Sequence, residues 1–187
     1  MGGDGKPFQL NMARNDLAVL FAEFGFKLGV EVGVEKGVYS EILLKVNPGL
    51  SLHGIDPLLV YKNYREHIHQ DEMDTFLDEI LERTSGCDYT FHRSFSLDAV
   101  KEFPDESFDF VYIDANHDFQ NTTNDIAEWS KKVKVGGIVS GHDYRRNKQK
   151  AFPCHVKDVV QGWTYSHSIK PWFVTAGRSA SWFWVKE

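Results

Sequence analysis

Two short segments carry the residues best suited to moving a proton. Asp114 and His117 stand three positions apart in Asp114-Ala115-Asn116-His117, and His142-Asp143 follows Gly136-Gly137-Ile138-Val139-Ser140-Gly141. An ordinary hydroxyl is a poor nucleophile until a base or a cation favours loss of its proton. An imidazole with its usual pKa of about 6.5 titrates in the right range for that work. A hard divalent ion prefers oxygen ligands, so Asp114 and Asp143 suit one better than the histidines do. The alternative is structural: the acids close loops and the histidines form local hydrogen bonds.

A second group lies earlier, in the run from Leu28 to Ser40. Glu31 precedes Gly33-Val34-Glu35-Lys36-Gly37, the turn between a strand and a helix. Glycines at both ends let the backbone approach a ligand closely. The following helix aims unpaired N–H groups at the same place. The acid argues against a phosphate in the turn and for a ligand bearing an amine or hydroxyls. Asp56 follows Glu31 by 25 positions and ends the next strand. There a carboxylate accepts hydrogen bonds from the two hydroxyls of a ribose, as in dinucleotide folds. Its alternative is a turn residue before Pro57.

These groups need a scaffold that brings strand ends together. Leu28–Val32, Leu50–Asp56, Tyr89–His92, Phe108–Asp114 and Gly136–Asp143 read as strands. Phe108 to Asp114 is nearly all apolar, as a sheet covered on both faces requires. Helices are expected over Asn11–Phe24, Val38–Val46, Gln70–Thr84, Phe95–Phe103, Asn121–Lys132 and Cys154–Gln161, from apolar spacing, caps and breakers. Two last strands, Trp172–Thr175 and Ser181–Val185, are joined by a turn short enough for a hairpin. Strands alternating with helices predict a mostly parallel α/β sandwich. If Phe108–Asp114 and Gly136–Asp143 are neighbours, the two acid–histidine segments meet at one sheet edge.

Composition narrows the setting. With 187 residues, 42% hydrophobic and 26% charged, the chain suits one soluble domain. A chain of this size buries roughly two-thirds of its unfolded surface. We expect a flexible leader over 1–10 and a single domain over 11–187, with no internal repeat. A net charge of -6 disfavours general binding to nucleic acid. No apolar run is long enough to cross a bilayer. Cys87 and Cys154 match neither a disulfide framework nor a metal spacing, so a reducing, cytoplasmic setting is expected.

The ordered set of pieces resembles the class I S-adenosylmethionine (SAM)-dependent methyltransferases. They are Glu-x-Gly-x-x-x-Gly after a strand, an acid ending the next strand, Phe-Asp-Phe-Val-Tyr-Ile-Asp, and Val-Gly-Gly-Ile-Val-Ser-Gly-His-Asp. The likeness is greatest to small-molecule O-methyltransferases of the catechol and antibiotic-sugar types and runs from Asp16 to Val185. It implies a Rossmann-like three-layer sandwich with a seven-stranded sheet of order 3-2-1-4-5-7-6, strand 7 antiparallel. It implies SAM held by Glu31, Gly33, Val34, Gly37, Asp56, Ser94, Phe95 and Asp114, with Glu31 on the methionine amine and Asp56 on the ribose. Ser94, Phe95 and Ser96 stand where the family contacts adenine. Metal-dependent members hold a Mg²⁺-type ion on acids at the two strand tips, which implies Asp114, His142 and Asp143 here. The family's base follows the first acid by three residues, which implies His117 as base with Asp114 beside it. Two departures stand out: Glu35 replaces a frequent third glycine, and His142 replaces a frequent acid or amide.

The implied reaction is methyl transfer to a hydroxyl of a small molecule. Its rivals are a SAM-binding protein without activity and an NAD(P)-dependent oxidoreductase. The second should carry Gly-x-Gly-x-x-Gly, which this turn lacks. The Asn/Asp-Pro-Pro-Tyr signature of many amino methyltransferases is absent after the fourth strand. The charge run Arg145, Arg146, Lys148 and Lys150 is either a solvated loop or a steering patch for an anionic acceptor. Tyr61, Tyr64, His67 and His69 either cover the substrate as a lid or pack on the next helix. Trp163, Trp172, Trp182 and Trp184 suit the core or a contact within a homo-oligomer.

Overall fold

A computed structural model describes residues 5–61, 69–147 and 153–187. The strands are β1 (Phe8–Gln9), β2 (Leu28–Val32), β3 (Ser51–Ile55), β4 (Tyr89–His92), β5 (Phe108–Ile113), β6 (Val133–Gly141), β7 (Trp172–Val174) and β8 (Trp182–Val185). They form one sheet of order β1-β7-β8-β6-β5-β2-β3-β4. The seven strands expected from sequence are β2 to β8 and lie in the expected order. Strand β8 is antiparallel to both β6 and β7.

The correction is an eighth strand. Phe8–Gln9, inside the stretch read as a leader, pairs in parallel with β7. The Phe8 ring lies tilted against that of Phe173, centroids 5.8 Å apart, and the Trp172 indole N–H donates to the Gly5 carbonyl at 3.1 Å. Two residues carry no periodicity, so long-range pairing alone makes this strand.

The helices are α1 (Arg14–Glu23), α2 (Val38–Val46), α3 (Gln70–Asp74), α4 (Phe76–Arg83), α5 (Ser96–Ala99), α6 (Phe119–Lys132) and α7 (Val156–Ser166). Strand alternation sends Phe110 and Tyr112 of β5 to one face, with Leu17, Phe21, Tyr39 and Leu43 of α1 and α2. Val111 and Ile113 go to the other, with Ile126 and Trp129 of α6 and Val159 and Val160 of α7. Each such side chain, fully buried, stabilises the fold by about 1.5–3 kcal/mol. The result is three layers: α1 and α2, the sheet, then α6 and α7.

Several boundaries differ from the sequence reading, and three have a visible cause or consequence. The helix expected over Gln70–Thr84 breaks at Thr75, whose hydroxyl donates to the Glu72 carbonyl at 2.7 Å and competes with helical pairing. The helix expected over Phe95–Phe103 shrinks to α5 and a 3₁₀ turn at Val100–Glu102. Helix α6 starts at Phe119 rather than Asn121 because Asp118 caps it, accepting the Asn121 N–H at 2.8 Å.

Candidate active site

The parallel strands deliver their C-terminal ends to one edge, as expected for an open α/β sheet. In register, Val32 lies beside Ile55 and Ile113, and Ile113 beside Gly141. Glu31, Asp56, Asp114 and His142 therefore arrive together from β2, β3, β5 and β6. Two cavities open there and share Gly33 and Asp56. One, of about 140 Å³, is lined by Ile55, Pro57, Tyr61, Phe95, Leu97, Asn116 and Asp125 among others. The other, of about 330 Å³, is strongly charged and includes Arg14, Glu31, Tyr39, Asp114, His117, His142, Asp143 and Arg145.

The turn between β2 and α2 is held by the next strand's acid. Asp56 Oδ2 accepts the Val34 and Glu35 N–H groups, each at 3.0 Å, and Oδ1 accepts that of Leu58 at 2.8 Å. Gly33 has φ +92°, and a Cβ there would stand 2.2 Å from the Asp114 carbonyl oxygen. The close approach that demands glycine is thus to the backbone of β5's exit. Gly37, at φ +74°, starts α2 and would crowd the Ile80 backbone at 3.2 Å if it carried a Cβ. Glu35 takes φ +54°, the left-handed region that a glycine would occupy without strain.

Glu31 is almost wholly buried and accepts a short hydrogen bond from the Ser40 hydroxyl of α2. Burial raises its carboxyl to about 8, opposed by Ser40 and by the Arg14 guanidinium. Arg14 lies across the Tyr39 ring, 4.1 Å from its centroid, and pairs with Asp114 Oδ2 at 3.0 Å. Its Nε is buried without a partner. One end of the charged cavity therefore presents an acid and a guanidinium, the complement of an amino acid's ammonium and carboxylate.

His117 stands between two acids. Its Nε2 is 3.2 Å from Asp114 Oδ1 and its Nδ1 3.6 Å from Asp143 Oδ2. Burial alone would lower its pKa, but the hydrogen bond to Asp114 and the charges of both acids raise it above the ordinary histidine value. The unperturbed imidazole assumed from sequence is corrected: this is a stronger base. Burial would raise the Asp143 carboxyl, yet His117, Ser179 and Arg145 hold it below the ordinary range. His142 is lowered by burial, and its Nδ1 lies 3.1 Å from the Ser181 hydroxyl.

Residues 30–144 match a family described as a methyltransferase domain. The chain belongs to that family. No curated protein sequence matches this methyltransferase domain. Among solved structures, an O-methyltransferase family protein from Burkholderia thailandensis shares 15% identity at a TM-score of 0.68, over 92% of this chain and 55% of that one. This chain thus spans little more than half of that protein. An O-methyltransferase from Bacillus cereus, in complex with S-adenosylhomocysteine (SAH), shares 17% identity at a TM-score of 0.65, over 92% and 80%. An O-methyltransferase of tomaymycin synthesis from Streptomyces achromogenes, in complex with SAM, shares 16% at 0.66, over 93% and 80%. At such identities the likeness establishes a common fold.

The methyltransferase domain brings Glu31, Gly33, Val34, Asp56, Asp114, His117, His142 and Asp143 to the charged cavity and Phe95 to the other. Ser94 lines neither; its hydroxyl donates to the Phe95 carbonyl at 3.3 Å, and Ser96 takes its place at the cavity wall. Gly37 also stays behind the wall, against α4. Tyr61 lines the first cavity and His69 precedes α3, while Tyr64 and His67 lie outside the described residues. Arg145 pairs with Asp143 at 2.9 Å and Arg146 with Asp158, so both cations of the expected steering patch have acid partners. Lys148 and Lys150 lie outside the described residues. Trp172, Trp182 and Trp184 are core residues.

A divalent ion at Asp114, His142 and Asp143 does not fit this donor set. Arg14 and His117 occupy both oxygens of Asp114, and Arg145 and His117 share Oδ2 of Asp143. His142 turns Nδ1 to Ser181. Among the described residues no cluster of three His, Cys, Asp or Glu side chains is arranged to hold a metal. Sequence reasoning missed Arg14, Tyr39 and Asp125. Arg14 meets Asp114 across 100 positions, a separation that leaves no local signal.

Proposed function

We propose that this methyltransferase domain uses SAM to methylate a hydroxyl of a small molecule, with His117 as general base. The observation that carries the reading is the pair of joined cavities. A charged end offers Glu31 and Arg14, an apolar end offers Phe95 and Ile55, and Asp56 lies at their junction. That sequence of surfaces complements an amino acid, a ribose and a flat base. SAM, when bound, supplies a methyl group on a sulfonium whose positive charge is lost on transfer.

The chain's own residues do the rest. Glu31 accepts hydrogen bonds from the ammonium, and the Arg14 guanidinium, which lines the same cavity, donates to the carboxylate. Asp56 holds the turn through Val34, Glu35 and Leu58 and lies where the two cavities meet, the place for the ribose between amino acid and base. His117, oriented by Asp114 and Asp143, takes the acceptor's proton. Alignment of acceptor and methyl donor supplies much of the remaining acceleration. No step runs through a metal ion.

The acceptor belongs in the charged cavity beside His117, where phenols, sugars and nucleotide-sugars are the classes to screen. A cytoplasmic setting accords with two free cysteines, and no helix of the described residues is long and apolar enough to cross a membrane. The test is calorimetric titration with SAM, SAH and NAD(P)H, then an acceptor screen. Binding of SAM and SAH but not NAD(P)H, with turnover abolished in His117→Ala, is the expected result. NAD(P)H binding alone would overturn the cofactor. Persistent SAM binding without turnover of any acceptor would favour a binding protein.

A further inference from the structure

One buried acid has no part in the scheme above. Asp125, in the middle of α6, is 4% exposed and lines the smaller cavity. It caps nothing; Asp118 already caps that helix. One oxygen, Oδ1, accepts from the Ser96 hydroxyl at 2.5 Å. Ser96 in turn accepts the Trp129 indole N–H at 2.8 Å. An indole only donates, so the Ser96 proton is directed to Asp125. The relay fixes the carboxylate's orientation and leaves Oδ2 without a hydrogen-bonding partner among the described residues.

Oδ2 is the acceptor that Asp125 keeps for whatever enters the cavity it lines. Burial of the residue raises its carboxyl to about 6, against the pull of Ser96. A ligand that closes the cavity to water must replace that oxygen's hydration with an N–H donor. Phe95, Ile55 and Leu97 wall the same cavity with apolar surface suited to a flat ring.

We infer that Asp125, held by the Ser96–Trp129 relay, reads the exocyclic amino group of the adenine, so that the chain selects adenosyl over inosyl forms of its cofactor. The inference rests on the SAM reading above and adds its base specificity. An ionised carboxylate accepts the amine's N–H, whereas the carbonyl oxygen of hypoxanthine at that position meets the acid with like polarity. A site built on one hydrogen bond rejects the analogue lacking it because its own buried group is then left unpaired.

The experiment titrates the full chain with SAH and with S-inosylhomocysteine, then repeats both with Asp125→Asn and Ser96→Ala. Wild type is expected to favour SAH by about a hundredfold. In Asp125→Asn, whose amide can turn its NH₂ toward the inosyl carbonyl, the preference should fall to about tenfold or less. Ser96→Ala should weaken it in between, because the carboxylate loses its orientation. Equal affinity of wild type for the two ligands, or an unchanged preference in both variants, overturns the role of Asp125 and leaves the SAM reading standing. If wild type binds neither ligand, the SAM reading itself falls and this inference with it. The wild-type comparison needs no variant, so a failure of Asp125→Asn to fold does not block the test.

Discussion

Arg14 and Asp114 form an ion pair at 3.0 Å although 100 positions separate them. The contact joins the first turn of α1 to the exit of β5 and sets a guanidinium against a carboxylate otherwise suited to a divalent cation.

With Asp114 neutralised by Arg14 and Asp143 by Arg145, turnover should survive chelation. Rates measured before and after exhaustive EDTA treatment, and after readdition of Mg²⁺, Mn²⁺ or Zn²⁺, should agree within about twofold, since no charge at the site awaits a metal. A loss in chelator restored by one of these ions would refute the argument. Arg14→Gln should weaken SAH binding by about ten- to a hundredfold, the scale of one lost charge-assisted hydrogen bond.

His117→Ala should lower kcat by about 10²–10⁴-fold while SAH affinity changes little, because a general base acts on the acceptor rather than the cofactor. His117 in the free protein is raised above the ordinary histidine value, so the acid limb of the wild-type kcat/KM profile should lie above that value. Asp114→Asn should move that limb down as it removes one of the two charges that raise the base. A limb that stays in place would mean that another group controls the rate.

Glu31 gives a pH dependence of opposite sense to an ion-paired acid such as Asp143, whose carboxyl is lowered. The Glu31 carboxyl rises from an ordinary 4.5 to about 8 on folding. Between those values the folded protein keeps a proton that the unfolded chain releases. Its stability contribution is therefore fully present below the lower value and is lost as the pH rises toward the upper one. Thermal unfolding of the free protein should show this decline, and Glu31→Gln should flatten it. An ammonium favours ionised Glu31, so SAH should expel a proton on binding. Calorimetry in buffers of different ionisation heat reads that release directly, and its absence would separate Glu31 from the ammonium.

The turn between β2 and α2 offers a contrast between neighbouring positions. Gly33→Ala should destabilise by about 2 kcal/mol or more, because it adds a left-handed alanine to a backbone clash with Asp114. Glu35→Gly should be neutral or stabilising by up to about 1 kcal/mol, since glycine relieves the strain at φ +54°. Asp56→Ala should cost about 3 kcal/mol or more through three backbone N–H groups left without their acceptor. Urea unfolding of the three variants gives the comparison.

The strands β2 to β8 were legible in the chain because each announces itself within a few residues; their order was implied by the family resemblance and is the one observed. Val30 and Val32 before a glycine turn, and Phe108 to Ile113 as an apolar run, need no distant partner to be read. Strand ends then carry Glu31, Asp56, Asp114 and Asp143 to one edge by parallel topology alone. Residues that reach the site from elsewhere had no such signature. Arg14 projects from a helix outside the glycine motif, Asp125 from the middle of another, and β1 is too short to show a period.

Sequence by itself therefore determined the sheet, the glycine turn and the set of acids along its edge, because periodicity and turn chemistry are local. Tertiary structure alone decided what those acids face. Burial raised Glu31, two carboxylates strengthened His117, and Arg14 took a position open to a cation. Charge and desolvation depend on distances between groups remote in the chain, and only the folded packing sets those distances.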